Sequence, residues 1–440
     1  MKIKLKLAGI ILLMAFTSAQ AQVKRPLSLP EAIDLSIRNS HSLKSSQARI
    51  EEATAALREA TEKKLPDAKV SGAYMRLNSA NFDLKTKSNS GGSGSSGESP
   101  KVSQAMYGIL NASLPIYTGG KIRYGIESSR YLAEAAKLDA DHEKEEVIQN
   151  TIEAYINLYK AKAAVDLVKD NLAQAQQRVN DFSNLEKNGL LARNDLLKAE
   201  LQASNTELTL LDVQNNWQLA NVNMNLLLGL PEQTELIPDS SMLDQAQVVK
   251  SLEEYVQSSL TNRKDIASLD LQKKAGEAGV KATRGELYPN LALTGGYIAA
   301  DVPKVFSVTN AVNIGVGVSY NIGSLWKTKA KVQQAEARVK QLQASEAMMN
   351  DQVRLQVNKS YLDLLSSQKK IQVYAKAVEQ AEENYRITKN KYNNSLATTT
   401  DLLDADVAQL TARLNYVFAK ADEVVSYNKL LQTAGIAEKK

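Results

Sequence analysis

The chain is written twice, and this repetition limits its architecture more than any other feature. Asn188-Gly189-Leu190, followed by Asp195-Leu196-Leu197-Lys198-Ala199, returns 206 positions later. It returns as Asn394-Ser395-Leu396, followed by Asp401-Leu402-Leu403-Asp404-Ala405. At the same offset Leu172 meets Val378, Gly229 meets Gly435, Ser113 meets Ser319 and Ile116 meets Ile322. Further upstream the offset is 223: Leu29, Glu31 and Asn39 meet Leu252, Glu254 and Asn262, while Pro66, Gly72 and Tyr74 meet Pro289, Gly295 and Tyr297. The 17-residue change falls between Tyr74 and Ser113, where the first copy carries a Gly/Ser-rich stretch at 88–100. A surface loop tolerates such an insertion.

Each copy has the same grammar. The first spans 22–230 and reads as a helix over 30–63, strands at about 67–78 and 102–117, a long helix over 121–188 and a helix over 194–229. The second spans 251–440, with a helix over 251–285, strands at about 290–298 and 312–322, a long helix over 325–393 and a helix over 398–434. Residues 231–250 form a linker or equatorial segment between them. Low Gly (21) and Pro (9) permit such long elements. At 1.5 Å per residue the long helix measures about 100 Å, more than a globular domain accommodates. Leu403, Val407, Leu410, Leu414, Val417, Ala421 and Val424 recur at a strict 3.5-residue interval. That is a coiled-coil seam, antiparallel to the preceding helix across the turn at Ser395.

The strands separate this chain from a plain coiled coil. Ile314, Val316, Val318, Tyr320 and Ile322 fall on one face of 312–322, and Asn313, Gly315, Gly317, Ser319 and Asn321 on the other. The first copy sorts Leu110, Ala112, Leu114 and Ile116 from Asn111 and Ser113. One apolar and one small or polar face suits a lipid-facing barrel with a wet lumen. Tyr107, Tyr117, Tyr297, Tyr320 and Trp326 are expected near strand ends, where interface aromatics gather. Four strands cannot close a membrane barrel, for which eight is the usual minimum, and an open edge in lipid is costly. Strands that span a membrane must therefore be pooled between chains.

Composition narrows the function. The chain has no Cys and only His41 and His142. Disulfides, thiolate sites and Cys-linked lipid anchors are excluded, and a multi-histidine metal site has too few ligands. No phosphate loop, metal-ligand spacing or nucleophile motif is present, so no enzyme, cofactor or metal is expected. Lys2, Lys4 and Lys6, the apolar run at 7–16 and Ala19-Gln20-Ala21 make residues 1–21 a secretory signal peptide. Those lysines hold three of the five net positive charges, so the remaining +2 makes no case for nucleic acid.

Leu27-Ser28-Leu29-Pro30-Glu31-Ala32-Ile33 with Asn39-Ser40-His41, the junction Leu114-Pro115-Ile116-Tyr117-Thr118-Gly119-Gly120, and Asp401-Leu402-Leu403-Asp404-Ala405 together resemble the TolC-like outer membrane efflux protein family. The resemblance covers essentially all of the chain after the signal peptide. It implies a mostly α protein with a small β part. Its two tandem repeats would trimerise into a 12-stranded outer membrane β-barrel on a 12-helix periplasmic α-barrel. The implied partners are a periplasmic adaptor, an inner membrane pump and outer membrane lipid. The implied role is the passive exit duct of a tripartite efflux or type I secretion system. It also implies site residues: Asp401 and Asp404 at the pore constriction, and Tyr392 with Asp195 in a gating link. Gly189, Leu190, Ser395 and Leu396 would form the adaptor-facing tip. Ala397 stands where the family has an arginine. The rival reading is a periplasmic adaptor or structural coiled coil, which the two full repeats of strands and helices argue against. Asp401 also sits where an N-terminal helix cap belongs.

Overall fold

The computed structural model describes residues 24–81, 101–244, 248–303 and 305–436. The expected signal peptide and the stretch at 88–100 lie outside these residues. The elements run β1 (Lys24–Leu27), α1 (Leu29–Asn39), α2 (His41–Glu62), β2 (Asp67–Asn81), β3 (Lys101–Tyr117), α3 (Lys121–Lys187) and α4 (Arg193–Leu228). They continue with β4 (Glu235–Pro238), α5 (Leu252–Asn262), α6 (Lys264–Arg284), β5 (Asn290–Val302), β6 (Phe306–Ser319), α7 (Ser324–Asn393) and α8 (Thr399–Thr433).

Two expected helices are each divided. The helix read over 30–63 breaks at Ser40, whose backbone turns to ψ 123°. Ser40 then caps α2 by accepting the Leu43 N–H at 3.2 Å. The helix read over 251–285 breaks at Arg263, with ψ 130°. Arg263 grips Asp265 through two bonds of 3.1 and 2.6 Å, and Asp265 accepts a first-turn N–H of α6 from Ile266. In both cases a side chain satisfies an amide that the interrupted helix would leave open. Each break also receives the C-terminal glycine of a later helix. A Cβ on Gly229 (φ +68°) would lie 3.0 Å from Asn39, and one on Gly435 (φ +67°) 3.0 Å from the Arg263 nitrogen. The repeat thus extends to a glycine docked on a kink.

The residues gather into two compact units that cut across the sequence copies. One holds 48–137 and 268–347, including one antiparallel sheet in the order β2-β3-β5-β6. Its register aligns Val70, Leu110, Tyr297 and Val312 in one row and Ala68, Ala112, Gly295 and Ile314 in the next. The opposite face carries Lys69, Asn111, Gly296 and Asn313, then Asp67, Ser113, Thr294 and Gly315. Toward the far end this second face turns apolar, with Ile109, Ile298 and Ala311 in one row. Strand β5 runs on to Val302, beyond the expected 298, so Tyr297 lies inside it, as Tyr107 lies inside β3. Only Tyr117, Tyr320 and Trp326 of the five aromatics stand at the helix-side ends. Strand β6 stops at Ser319, short of 322, because the Asn321 carboxamide turns the chain by accepting the Gly323 N–H at 3.1 Å.

Helices of this unit pack through small residues. Ala275 and Ala278 of α6 are buried, as are Ala133 and Ala135 of α3. Ser128 donates to the Ala275 carbonyl and Ser268 to that of Ala135. The chain closes on itself where strands give way to helices: a Cβ on Gly119 (φ +63°) would lie 2.4 Å from the Gly285 carbonyl oxygen. Only a residue without a side chain permits that backbone contact.

The other unit holds residues up to 47, 138–267 and from 348 onward. Here β1 and β4 pair in parallel, an element the sequence reading lacked. The phenol of Tyr155, fully buried, donates to the Leu27 carbonyl at 2.7 Å and accepts the Asp239 N–H at 2.8 Å. Around it Leu27, Ile156, Leu158, Met224, Leu228 and Leu236 form an apolar core. A second core joins Tyr255, Val353, Val357, Leu364 and Leu430. On α8 Ala405, Ala412 and Ala419, seven apart, are buried, and Ala421 and Leu430 lie deeper still. Of the expected seam, Leu403, Ala421 and Val424 are buried while Val407 is exposed.

Candidate functional site

The ends of the hairpins α3–α4 and α7–α8 carry all the residues singled out above. Both turns have one geometry. Gly189 adopts φ +70° and Ser395 φ +60°. The Leu190 N–H donates to the Leu185 carbonyl and the Leu396 N–H to that of Lys391, each at 2.8 Å. This is the six-to-one closure of a helix C-terminus. Ser395 adopts it without glycine's freedom, at a cost of about 1 kcal/mol. Leu190 and Leu396 project into solvent, 74% and 76% exposed.

Behind the turns lies a small core of Phe182, Leu196, Ala199 and Leu402, with Val179, Leu191, Tyr385 and Tyr392 packed on it. Tyr392 stacks on Phe182 with ring centroids 5.5 Å apart. Asp195 pairs instead with Lys198 at 3.3 Å, and Lys198 reaches Thr400 of α8 at 3.3 Å. Tyr392 and Asp195 are thus engaged separately within one chain.

The acidic pair also divides. Asp401 closes a capping box with Thr398. Its carboxylate accepts the Thr398 N–H at 2.8 Å, and the Thr398 hydroxyl accepts the Asp401 N–H at 3.2 Å. Hydrogen bonds from the Thr398 backbone and hydroxyl hold the Asp401 carboxyl below its ordinary range. The α4 start has Ala192 in the capping place and no side-chain cap. Asp404, one turn on, is exposed. In the first copy Lys198 holds the matching position.

The strongest polar contact at this end is one that sequence reasoning missed. Arg178 of α3 and Asp406 of α8, both buried, meet at 3.0 Å. Arg178 also donates to the Tyr385 hydroxyl at 3.2 Å, and Asn171 to Asp406 at 3.4 Å. Burial opposes the Arg178 charge, but the hydrogen bond and charge of Asp406, with help from Tyr385, hold the guanidinium above its ordinary value. The one available signal was a break in symmetry: at 206 residues' distance Arg178 meets Asn384 and Asp406 meets Glu200.

Among the described residues no helix is long and apolar enough to cross a membrane, and no group of three or more His, Cys, Asp or Glu is placed to hold a metal ion.

The model of the family described as outer membrane efflux protein matches residues 32–230 and 255–436, which takes in both copies. Outer membrane efflux protein BepC of Brucella suis biovar 1 is 21% identical over 346 residues, covering 78% of this chain and 75% of that protein. Pyoverdine export outer membrane protein OpmQ of Pseudomonas putida is 25% identical over 269 residues, covering 60% of this chain and 55% of that protein. Among solved structures, the outer membrane protein VceC from Vibrio cholerae superposes with a TM-score of 0.76 at 20% identity, over 92% of this chain and 96% of that one.

Proposed function

The chain belongs to the outer membrane efflux protein family, and from that premise we propose that its efflux duct is assembled from three copies, as a twelve-stranded barrel continued by twelve helices into the periplasm. The observation that carries this is the sheet: four strands, one face apolar over its helix-side rows, and an edge at β2 and another at β6 with no strand beside them among the described residues. In lipid such edges are satisfied only by further strands. Copies of the same chain supply them, and three give a lumen wide enough to hold water.

The hairpin ends form a closable mouth. The exposed Leu190 and Leu396, on the turns at Gly189 and Ser395, offer the apolar knobs on which a periplasmic adaptor docks, itself fed by an inner membrane pump. Asp401 and Asp404 are three apart on one helix face. In a threefold assembly they stack two rings of carboxylates, which attract cations and repel anions. The closed mouth is held by the Phe182–Tyr392 stack, the Lys198–Thr400 bond and the Arg178–Asp406 pair, which join the two hairpins of each chain. Tyr392 serves here through its ring, and Asp195 by orienting Lys198. The duct performs no covalent chemistry.

Purified protein in detergent is expected to run as a trimer and to conduct in a planar bilayer. Multivalent cations added on the side of the hairpin ends are expected to block it. Asp401→Asn combined with Asp404→Asn keeps a capping acceptor and removes both charges, so it should relieve the block by at least about tenfold. Unchanged block would take both residues out of the filter, and a monomer without conductance would end the reading.

A further inference from the structure

The two faces of the sheet exchange character along its length. Near the helices the face with Val70 is apolar and the face with Lys69 is polar. Toward the far end the Val70 face carries Tyr74, Met106, Asp301 and Ser307 in one row, then Arg76 opposite Gln104. A strand that leaves the hydrocarbon has reason to become polar on its lipid side. That gives no reason for the other face to become apolar, yet it does so over the same stretch. There Ala73, Tyr107, Ala300 and Val308 form one row, and Val302 stands opposite Phe306 beyond it. No charged residue stands in these two rows. Tyr107, Val308 and Phe306 are all exposed.

Two of these residues owe their place to a bulge. From Ile298 opposite Ala311 to Ala300 opposite Val308, β5 advances by two residues and β6 by three. One extra residue reverses the facing of all that follow it in the strand. Without it Thr309 would stand opposite Ala300 and Ser307 opposite Val302, and both are polar. With it Val308 and Phe306 take those places, and Ser307 moves to the other face opposite Asp301. The bulge contains Asn310 at φ +59°, a left-handed backbone that few side chains other than Asn and Asp adopt. The Tyr297 phenol fastens it, donating to Asn310 Oδ1 at 3.2 Å and accepting the Asn310 N–H at 3.3 Å. A strained residue with a dedicated partner is a built feature, and what it accomplishes here is the exchange of two polar side chains for two apolar ones.

We propose that, in the pooled barrel put forward above, these rows close into an apolar collar around the far end of the lumen, and that the collar is a binding step for hydrophobic organic cations in transit. The proposal rests on the barrel reading and adds a site to it. Apolar side chains hold a solute in proportion to the apolar surface it withdraws from water. The rings of Tyr107 and Phe306 add faces that attract a quaternary ammonium group. The carboxylates at the hairpin ends sort by charge, whereas the collar sorts by apolar area.

Tetrabutylammonium and tetramethylammonium carry one charge each and differ in apolar surface. Added from the external side to the conducting protein in a planar bilayer, tetrabutylammonium should block at least about tenfold more strongly than tetramethylammonium. Phe306→Ser combined with Val308→Ser should make the two nearly equal and leave block by multivalent cations at the hairpin ends unchanged. Deleting Asn310 should do the same without removing either apolar residue, because it returns Thr309 and Ser307 to the lumen face. Equal block by the two cations in the wild type, or a difference that survives the serine pair, would overturn the collar and leave the pooled barrel intact. A difference lost with the serine pair but kept after the deletion would overturn the part given to the bulge. A monomer without conductance would instead overturn the barrel reading itself.

Discussion

Two buried residues set the local stakes. Asp406 is almost wholly enclosed and its charge is answered by Arg178. Arg178→Ala would leave that carboxylate alone in a dry site, a change that costs about 3–5 kcal/mol. Denaturant unfolding in detergent should record a loss of this size, and Arg178→Met combined with Asp406→Leu should restore most of it, because a packed apolar pair removes the orphan charge. A loss equally large in the double variant would mean that packing, not charge, is at stake. Tyr155 works through its phenol. Burial pushes that group up to about 12, with the Asp239 backbone bond opposing and nearby carboxylates adding to the rise. The fold therefore favours the neutral form. Its contribution is complete below the ordinary phenol value of about 10 and is lost as the pH climbs through 12. Stability should fall across that window in the wild type and fall less in Tyr155→Phe. The variant should also start lower by about 1–3 kcal/mol, since the Leu27 carbonyl and Asp239 amide lose their partner.

At the scale of elements, the sequence announced period and punctuation well. Alternation at 313–319 gave the strand and its faces, and Asn188-Gly189 and Asn394-Ser395 gave the turns. It was silent where a break depends on something distant. Ser40 and Arg263 carry no local helix-ending signal, and each break is defined by a glycine arriving from a helix written some 170–190 residues later. The same glycine type therefore has two meanings. Gly189→Ala meets nothing within 4 Å and should cost only the left-handed backbone term, about 1 kcal/mol. Gly229→Ala has the same backbone sign and also strikes Asn39 at 3.0 Å, so its cost should be clearly larger, about 2–4 kcal/mol. Melting temperatures of the two variants, measured side by side, decide it; equal shifts would reduce the docked kink to a simple cap. The β1–β4 pair escaped notice for a related reason. Four residues at each end of a long sequence interval, paired in parallel, leave no periodic trace.

For the whole molecule, duplication was the legible part and its exceptions were not. Landmarks such as Gly229 and Gly435, or Tyr74 and Tyr297, fall where the repeat puts them. Asp401 and Asp404 were singled out as a pair, yet one is occupied as a cap and the other faces water. Their first-copy counterparts, Asp195 and Lys198, bind each other. Arg178 and Asp406 were invisible because a search for sameness passes over the positions where the copies diverge.

The parallel union of β1 with β4 makes the front of the polypeptide a late arrival. A chain delivered amino end first presents Lys24–Leu27 early, but the mate, Glu235–Pro238, follows only after the entire first hairpin. Until then the leading thread is unfastened and the Tyr155 phenol has no lid. The pairing of Lys24–Leu27 therefore waits on residues more than 200 positions further along the chain.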